Sequence, residues 1–343
     1  LNNGGNMNLV KVLKDLTLCA GVSGEEEKAE KAALSYLEKY TADAEITQGG
    51  VIGTIGRREN GKPHVLIDAH IDQIGFIVTY ITDDGFIKFS NCGGIDRRIL
   101  SAQHVIIHGK KDIDGIIIST PPHLSDGDSK VPEISDIYID TGFEKEKLEK
   151  IVSLGDRITF KASFSELLDG KITAAALDDR CGVAAILYAL DLVKKEEINC
   201  SVTALFSVQE EVGERGAKIA AFEIAPDIAI AVDVSFAFTS GEDEEKCGKS
   251  GKGCMIGVAP SLDKELSQKF IDISEKEKIP YQIEVMNGMT GTNADQFSVT
   301  KGGAKAVTLS IPLKYMHTPV EVIDIDDVKN TGKLIAEYLR RVK

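Results

Sequence analysis

His70 and Asp72 fall in the run AHID, at the end of a short apolar stretch that reads as a buried strand. Residues i and i+2 of a strand share one face. An imidazole there can bind a cation while the carboxylate fixes its tautomer and orientation. The pair by itself equally suits an ordinary core or surface contact. Asp178 and Asp179, in ALDDRCG, either cap a helix start or offer one carboxylate as a bridge between two cations. Glu210, Glu211 and Glu214 follow a strongly apolar strand in LFSVQEEVGERGA. They are either the solvated start of a helix or groups gathered at the sheet edge where α/β proteins bind ligands. Of two adjacent acids at such a bend, one can ligate a metal while the other holds a water. Asp233, in AIAVDVS, is the most telling, because an acid inside an apolar strand is costly unless it is paired, hydrogen-bonded or metal-bound. His317, in YMHTPVE, follows one more core strand.

Taken together, His70, Asp178, Glu211, Asp233 and His317 are metal-type ligands. Imidazole plus carboxylate suits zinc, cobalt or manganese rather than calcium. If Asp178 bridges two cations, each receives one histidine, one terminal carboxylate and the shared one. That leaves a coordination position for water, as catalytic sites require, and it leaves Glu210 over as a general base.

The elements that must position these groups follow from periodicity. Buried-strand patterns cover Val65–Ala69, Val202–Val208, Ile228–Val234 and Ala304–Ile311. Helical patterns cover Asn8–Cys19, Ala29–Tyr40, Asp179–Leu192 and Val328–Arg341. Ser23 with Glu26 three residues later reads as a capping box for the second helix. Strands alternating with helices indicate an α/β fold with a mostly parallel central sheet flanked by helices. From about Gln73 to Phe164 the pattern changes to short strands separated by turn residues. This predicts a small β domain over residues 73–164, inserted into a discontinuous catalytic domain of residues 7–72 and 165–343.

Bulk properties narrow the function classes. A formal net charge of −14 over 343 residues argues against nucleic-acid or anionic-membrane partners, which require a basic patch. The six cysteines form no CxxC pair, and at this chain length they read as free thiols in a reducing cytoplasm. No apolar run reaches the ~20 residues of a membrane span. Met7 reads as the start, with residues 1–6 as extra residues upstream of it.

The order AHIDQIG, ALDDRCG, SVQEEVGERGA, AVDVS, GTNAD and KYMHTPVE, with GGIDRRIL and PPHLS between the first two, resembles the metallo-aminopeptidase family of glutamyl and tetrahedral aminopeptidases. Some members of that family carry an endoglucanase label. The resemblance covers nearly the whole chain from Met7. It implies that His70, Asp178 and Asp233 hold one divalent metal ion and that His317, Glu211 and Asp178 hold the other. Asp178 rather than Asp179 is the bridge, because relatives often carry Asn at the second position. Glu210 would be the general base, and Asp72 would orient His70. The family fold is an α/β domain of the binuclear-metal exopeptidase type. Its inserted β-barrel-like domain mediates dimerisation, and members commonly build tetrahedral shells of twelve subunits. Gln73 departs from the family pattern, which usually has Glu there.

The expected reaction is hydrolysis of the N-terminal peptide bond of peptides. A water bridging two metal ions, zinc or cobalt first and manganese third, is the nucleophile, and Glu210 is the base. Two alternatives remain at this point. A glycoside hydrolase would use two carboxylates and no metal, but the chain has no Trp on which to stack sugars. A non-catalytic scaffold with a closed metal site would leave Glu210 without a role. Side-chain preference is not legible; Arg97 and Arg98 are candidates for a basic pocket that would favour acidic N-termini.

Overall fold

In the computed structural model, residues 7–59, 61–120, 123 and 131–342 are described. The upstream segment 1–6 lies outside them, as does PPHLS apart from His123. The chain opens with α1 (Leu9–Thr17), capped by the Asn8 side chain, and α2 (Glu27–Leu37). The expected capping box does not form. Ser23 instead donates its hydroxyl to Asp72 (2.7 Å), and Glu26 accepts from the Gly24 amide (2.6 Å). The pull of a buried carboxylate outcompetes the local cap.

Next come β1 (Glu45–Thr47), β2 (Gly50–Ile55) and β3 (His64–His70). A run of antiparallel strands follows: β4 (Gly75–Ile81), β5 (Ile87–Cys92), β6 (His104–His108), β7 (Asp112–Ile118), β8 (Tyr138–Asp140) and, after the short α3 (Lys145–Leu148), β9 (Arg157–Phe160). These strands close into a barrel in the order β4-β5-β8-β7-β6-β9. Phe76 sits at its centre, edge-on to Phe89 and Phe160 with ring centroids 5.0 and 5.2 Å away. The barrel has its own core, with side chains separate from those of the larger sheet.

The chain then forms β10 (Phe164–Glu166), β11 (Lys171–Ala174), α4 (Leu177–Val193), β12 (Ser201–Ser207), α5 (Arg215–Ile224) and β13 (Ile228–Phe236). It ends with β14 (Cys254–Val258), α6 (Lys264–Glu277), β15 (Tyr281–Val285), α7 (Ala294–Phe297), β16 (Lys305–Leu313), β17 (Glu321–Asp324) and α8 (Ile325–Leu339). Eight strands make the main sheet in the order β1-β2-β12-β3-β13-β16-β14-β15, parallel through its centre. β10, β11 and β17 form a small antiparallel sheet beside it.

Strand alternation explains what each face carries. Val65, Ile67 and Ala69, with Val202, Ala204 and Phe206 and with Ile230 and Val232, face the core built with α1, α2, α4, α6 and α8. The opposite face begins apolar, with Leu66, Leu205, Ala229, Ala231 and Ala306 packed on α5 and α7. Toward the carboxyl ends of the same strands that face turns polar: Asp68 and His70, Ser207, Asp233, Ser310. No helix in the described chain is long and apolar enough to cross a membrane.

Candidate metal centre

His70 ends β3, Asp233 lies late in β13, and Glu210 and Glu211 sit in the turn after β12, all at one end of the parallel sheet. Asp178 arrives from outside the sheet. It follows β11 and precedes the regular part of α4, with non-helical backbone at both Asp178 and Asp179 and a cis peptide bond between them. His317 follows β16 and adopts φ +60°, as does Tyr315, while Gln209 just before the glutamate pair has φ +57°. Left-handed backbone at several non-glycine positions around one site marks a geometry imposed by its surroundings.

The Asp178 carboxylate has one oxygen on each of two imidazoles. Its Oδ1 is 3.0 Å from His70 Nε2 and its Oδ2 is 3.4 Å from His317 Nε2. Glu211 Oε2 is 3.4 Å from the same His317 nitrogen. Asp233 Oδ1 and Glu210 Oε2 lie 4.0 and 3.9 Å from His70 Nε2. Two ligands of one tetrahedral cation at ~2.1 Å stand about 3.4 Å apart, so these separations match a shared ion better than direct contact. Ligand atoms of His70, Asp178 and Glu211 all lie within 4.8 Å of one another, and so do those of His70, Asp179 and Asp233. Among the described residues no Lys or Arg lies within 4.0 Å of Asp178, Asp179, Glu210, Glu211 or Asp233. The buried Asp179 Oδ2 has no hydrogen-bond partner. Such a cluster of buried acids, with imidazoles alone for company, fits divalent cations.

The protonation balance of these groups follows from burial. Burial pushes Glu210 up to about 7 and Glu211 up to about 10, with the charge of Asp178 adding to both. Burial also raises Asp179 and Asp233 well above the carboxylate range. Asp178 is the exception. Burial opposes its charge, but hydrogen bonds from His317 and His70 hold it below the usual range. Carboxyls that would otherwise take up protons are those a cation can hold ionised instead.

The supporting residues are partly ones the sequence did not single out. Asp72 lies two residues past the end of β3 rather than on the strand. Its Oδ1 is 3.4 Å from His70 Nδ1, and its two oxygens accept the backbone amides of Glu210 (3.0 Å) and Glu211 (3.3 Å). One carboxylate thus aims the histidine and pins the turn carrying both glutamates. Glu321, fully buried on β17, accepts from the Asp178 amide (3.1 Å) and the His317 amide (3.0 Å). It was visible in YMHTPVE, but no local pattern tells that it ties two distant ligands together. Asn293 of GTNAD donates to Asp68 (2.7 Å) and Ser207 (2.8 Å) beneath the site.

The barrel also reaches in. A Cβ on Gly94 would stand 3.1 Å from His317 Nδ1, and one on Gly93 would stand 3.1 Å from Glu211 Oε2. Gln73 accepts from the buried Arg180 guanidinium (2.9 Å), which also donates to the Leu16, Cys19 and Ile71 carbonyls. Arg97 and Arg98 do not offer free cations, since Arg97 pairs with Glu133 and Arg98 with Asp96.

Known proteins share this sequence pattern and fold. A lysyl aminopeptidase of Pyrococcus furiosus is 31% identical over 342 residues, covering 97% of each chain. The TET1 peptidase of Pyrococcus horikoshii, described as assembling into a tetrahedron or a large octahedral shell, superposes with a TM-score of 0.86 at 35% identity, covering 97% of this chain and 100% of that one. A TET aminopeptidase from a marine-sediment Thaumarchaeota archaeon gives a TM-score of 0.92 at 30% identity, covering 98% and 96%. The family model for M42 glutamyl aminopeptidases matches residues 49–334. A matching family model, full-length relatives and a shared fold therefore make this chain a member of the M42 glutamyl aminopeptidase family, a peptide-bond hydrolase of aminopeptidase type.

Proposed function

We propose that the chain is a two-metal aminopeptidase that removes single residues from the N-termini of peptides. The observation that carries this reading is the Asp178 carboxylate, one oxygen on each of two imidazoles. His70, Asp178 and Asp233 would hold one cation, and His317, Glu211 and Asp178 the other. Zinc and cobalt suit the donor set best, manganese next. When bound, the pair would polarise the scissile carbonyl and lower the pKa of a water between them.

The protein's own groups do the rest. Uncompensated carboxylates give the site a negative field that draws the substrate's free α-ammonium. Asp72 keeps His70 in one tautomer and holds the Glu210 turn in place. Glu210 takes the proton of the attacking water and passes it to the leaving amine nitrogen. Glu210→Gln is expected to keep its metal, counted by elemental analysis, and to lose turnover by ~10²–10⁴-fold. Full activity in that variant would end the assignment.

The barrel, with flanking residues 73–164, serves in this reading as a dimerisation domain, and the α/β domain of residues 7–72 and 165–343 carries the chemistry. Dimers would then build a homo-oligomer in the form of a tetrahedral dodecamer: the TET1 peptidase is described as assembling into a tetrahedron, and a similar structure as a dodecamer. All six cysteines are unpaired, which suits a reducing cytoplasm.

A further inference from the structure

A cavity of about 540 Å³ opens beside the metal centre, at the edge of the main sheet. Its wall includes Val234, next to the ligand Asp233, and Met316, next to the ligand His317. At its side stands Glu284, half-buried on β15. One carboxylate oxygen accepts the hydroxyl of Ser235, and the other accepts that of Ser310 (2.8 Å). Ser310 is the register partner of Asp233, and Ser235 lies two residues beyond Asp233 on the same face of β13. The anion is therefore held by two hydroxyls within one or two residue positions of a proposed metal ligand.

Among the described residues, no Lys or Arg lies within 4.0 Å of Glu284 or of Glu245, the other acid lining the cavity. Lys246, its one lining base, is turned to Asp243 (3.1 Å). Met255 and Met286 give the same wall an adaptable apolar surface. A side chain with a methylene stem and a cationic head satisfies both parts: the stem lies on the methionines and the head meets the carboxylate. An acidic side chain would meet an unneutralised anion.

We propose that this cavity receives the side chain of the substrate's N-terminal residue and that Glu284 selects lysine or arginine there. The proposal rests on the aminopeptidase reading of the neighbouring centre, and it assigns a preference that neither the glutamyl label of the family nor the sequence dictates.

Two measurements test it on the cobalt-loaded protein. Calorimetric titration compares L-lysinamide with L-norleucinamide, which has a similar length without the charge. Lysinamide is expected to bind ~10–100-fold more tightly, and Glu284→Gln to bring the two within a few-fold. Equal binding in the wild type, binding of neither amide, or a preference that survives in Glu284→Gln would overturn the proposal. Gln is nearly isosteric and still offers an acceptor to a serine hydroxyl, and the wild-type comparison stands without the variant. The second measurement is kcat/KM on lysyl, norleucyl and glutamyl p-nitroanilides. A lysine preference in binding with no hydrolysis of any substrate would sink the catalytic reading and leave the cavity assignment standing. Hydrolysis with norleucyl or glutamyl at least equal to lysyl would sink the cavity assignment alone.

Discussion

At the scale of single residues, the aspartate pair divides its labour by position. Asp178 spans His70 and His317, whereas Asp179 accepts the Gly182 amide (3.1 Å) and keeps a second, buried oxygen without a hydrogen-bond partner. Asp178→Asn would place an amide nitrogen on one of the two imidazole-facing positions. It is expected to lose one or both cations and nearly all turnover. Asp179→Asn keeps an oxygen for Gly182 and is expected to retain two cations per chain. Metal content after dialysis checks both, and two retained cations in Asp178→Asn would refute the bridging role. These positions were legible because an acid in an apolar setting stands out. Asp233 could be read from its strand alone. Glu321 and the second role of Asp72 could not, because both depend on backbone amides brought close from more than a hundred residues away.

At the scale of elements, the central strands and their helices were readable from hydrophobic runs. β3 and β13 extend those runs by one residue at each end and by two at the carboxyl end. β1 and β2, rich in Gly and Thr, carry no such run and were not legible. Nor was α6, whose charged face hides its apolar stripe. The start of α8 shows how an element is fixed by a partner far away. Asp327 in its first turn accepts the amides of Gly251 (2.6 Å) and Gly253 (2.7 Å), which lead into β14. Burial, the largest influence, raises its pKa from 3.8 to about 6. The folded state therefore holds this proton more tightly than the unfolded chain does. The resulting stability is fully present below pH ~4 and is lost as pH rises through about 6. Asp327→Asn is expected to flatten that part of the profile, as read from urea midpoints between pH 4 and 7. An unchanged slope would count against the assignment.

At the scale of the whole molecule, the main sheet ends at β15, whose outer edge has no strand partner among the described residues. Ile283 and Val285 are exposed there, as are Tyr80 and Ile116 on the barrel. Unpaired edges and β-branched apolar residues are liabilities in a lone chain and are commonly covered by another copy. Light scattering on the native protein is expected to report twelve chains, and a monomer at micromolar concentration would rule the assembly out.

Gly93 and Gly94 bring the barrel's backbone against His317 and Glu211, two groups supplied by the other core. The candidate metal centre is thus complete only when both cores have formed and met. A chain still emerging from the ribosome carries His70 and Asp178 without their later partners. In the proposed reading, proteolytic competence therefore waits until β16 and the segment carrying His317 have joined the sheet.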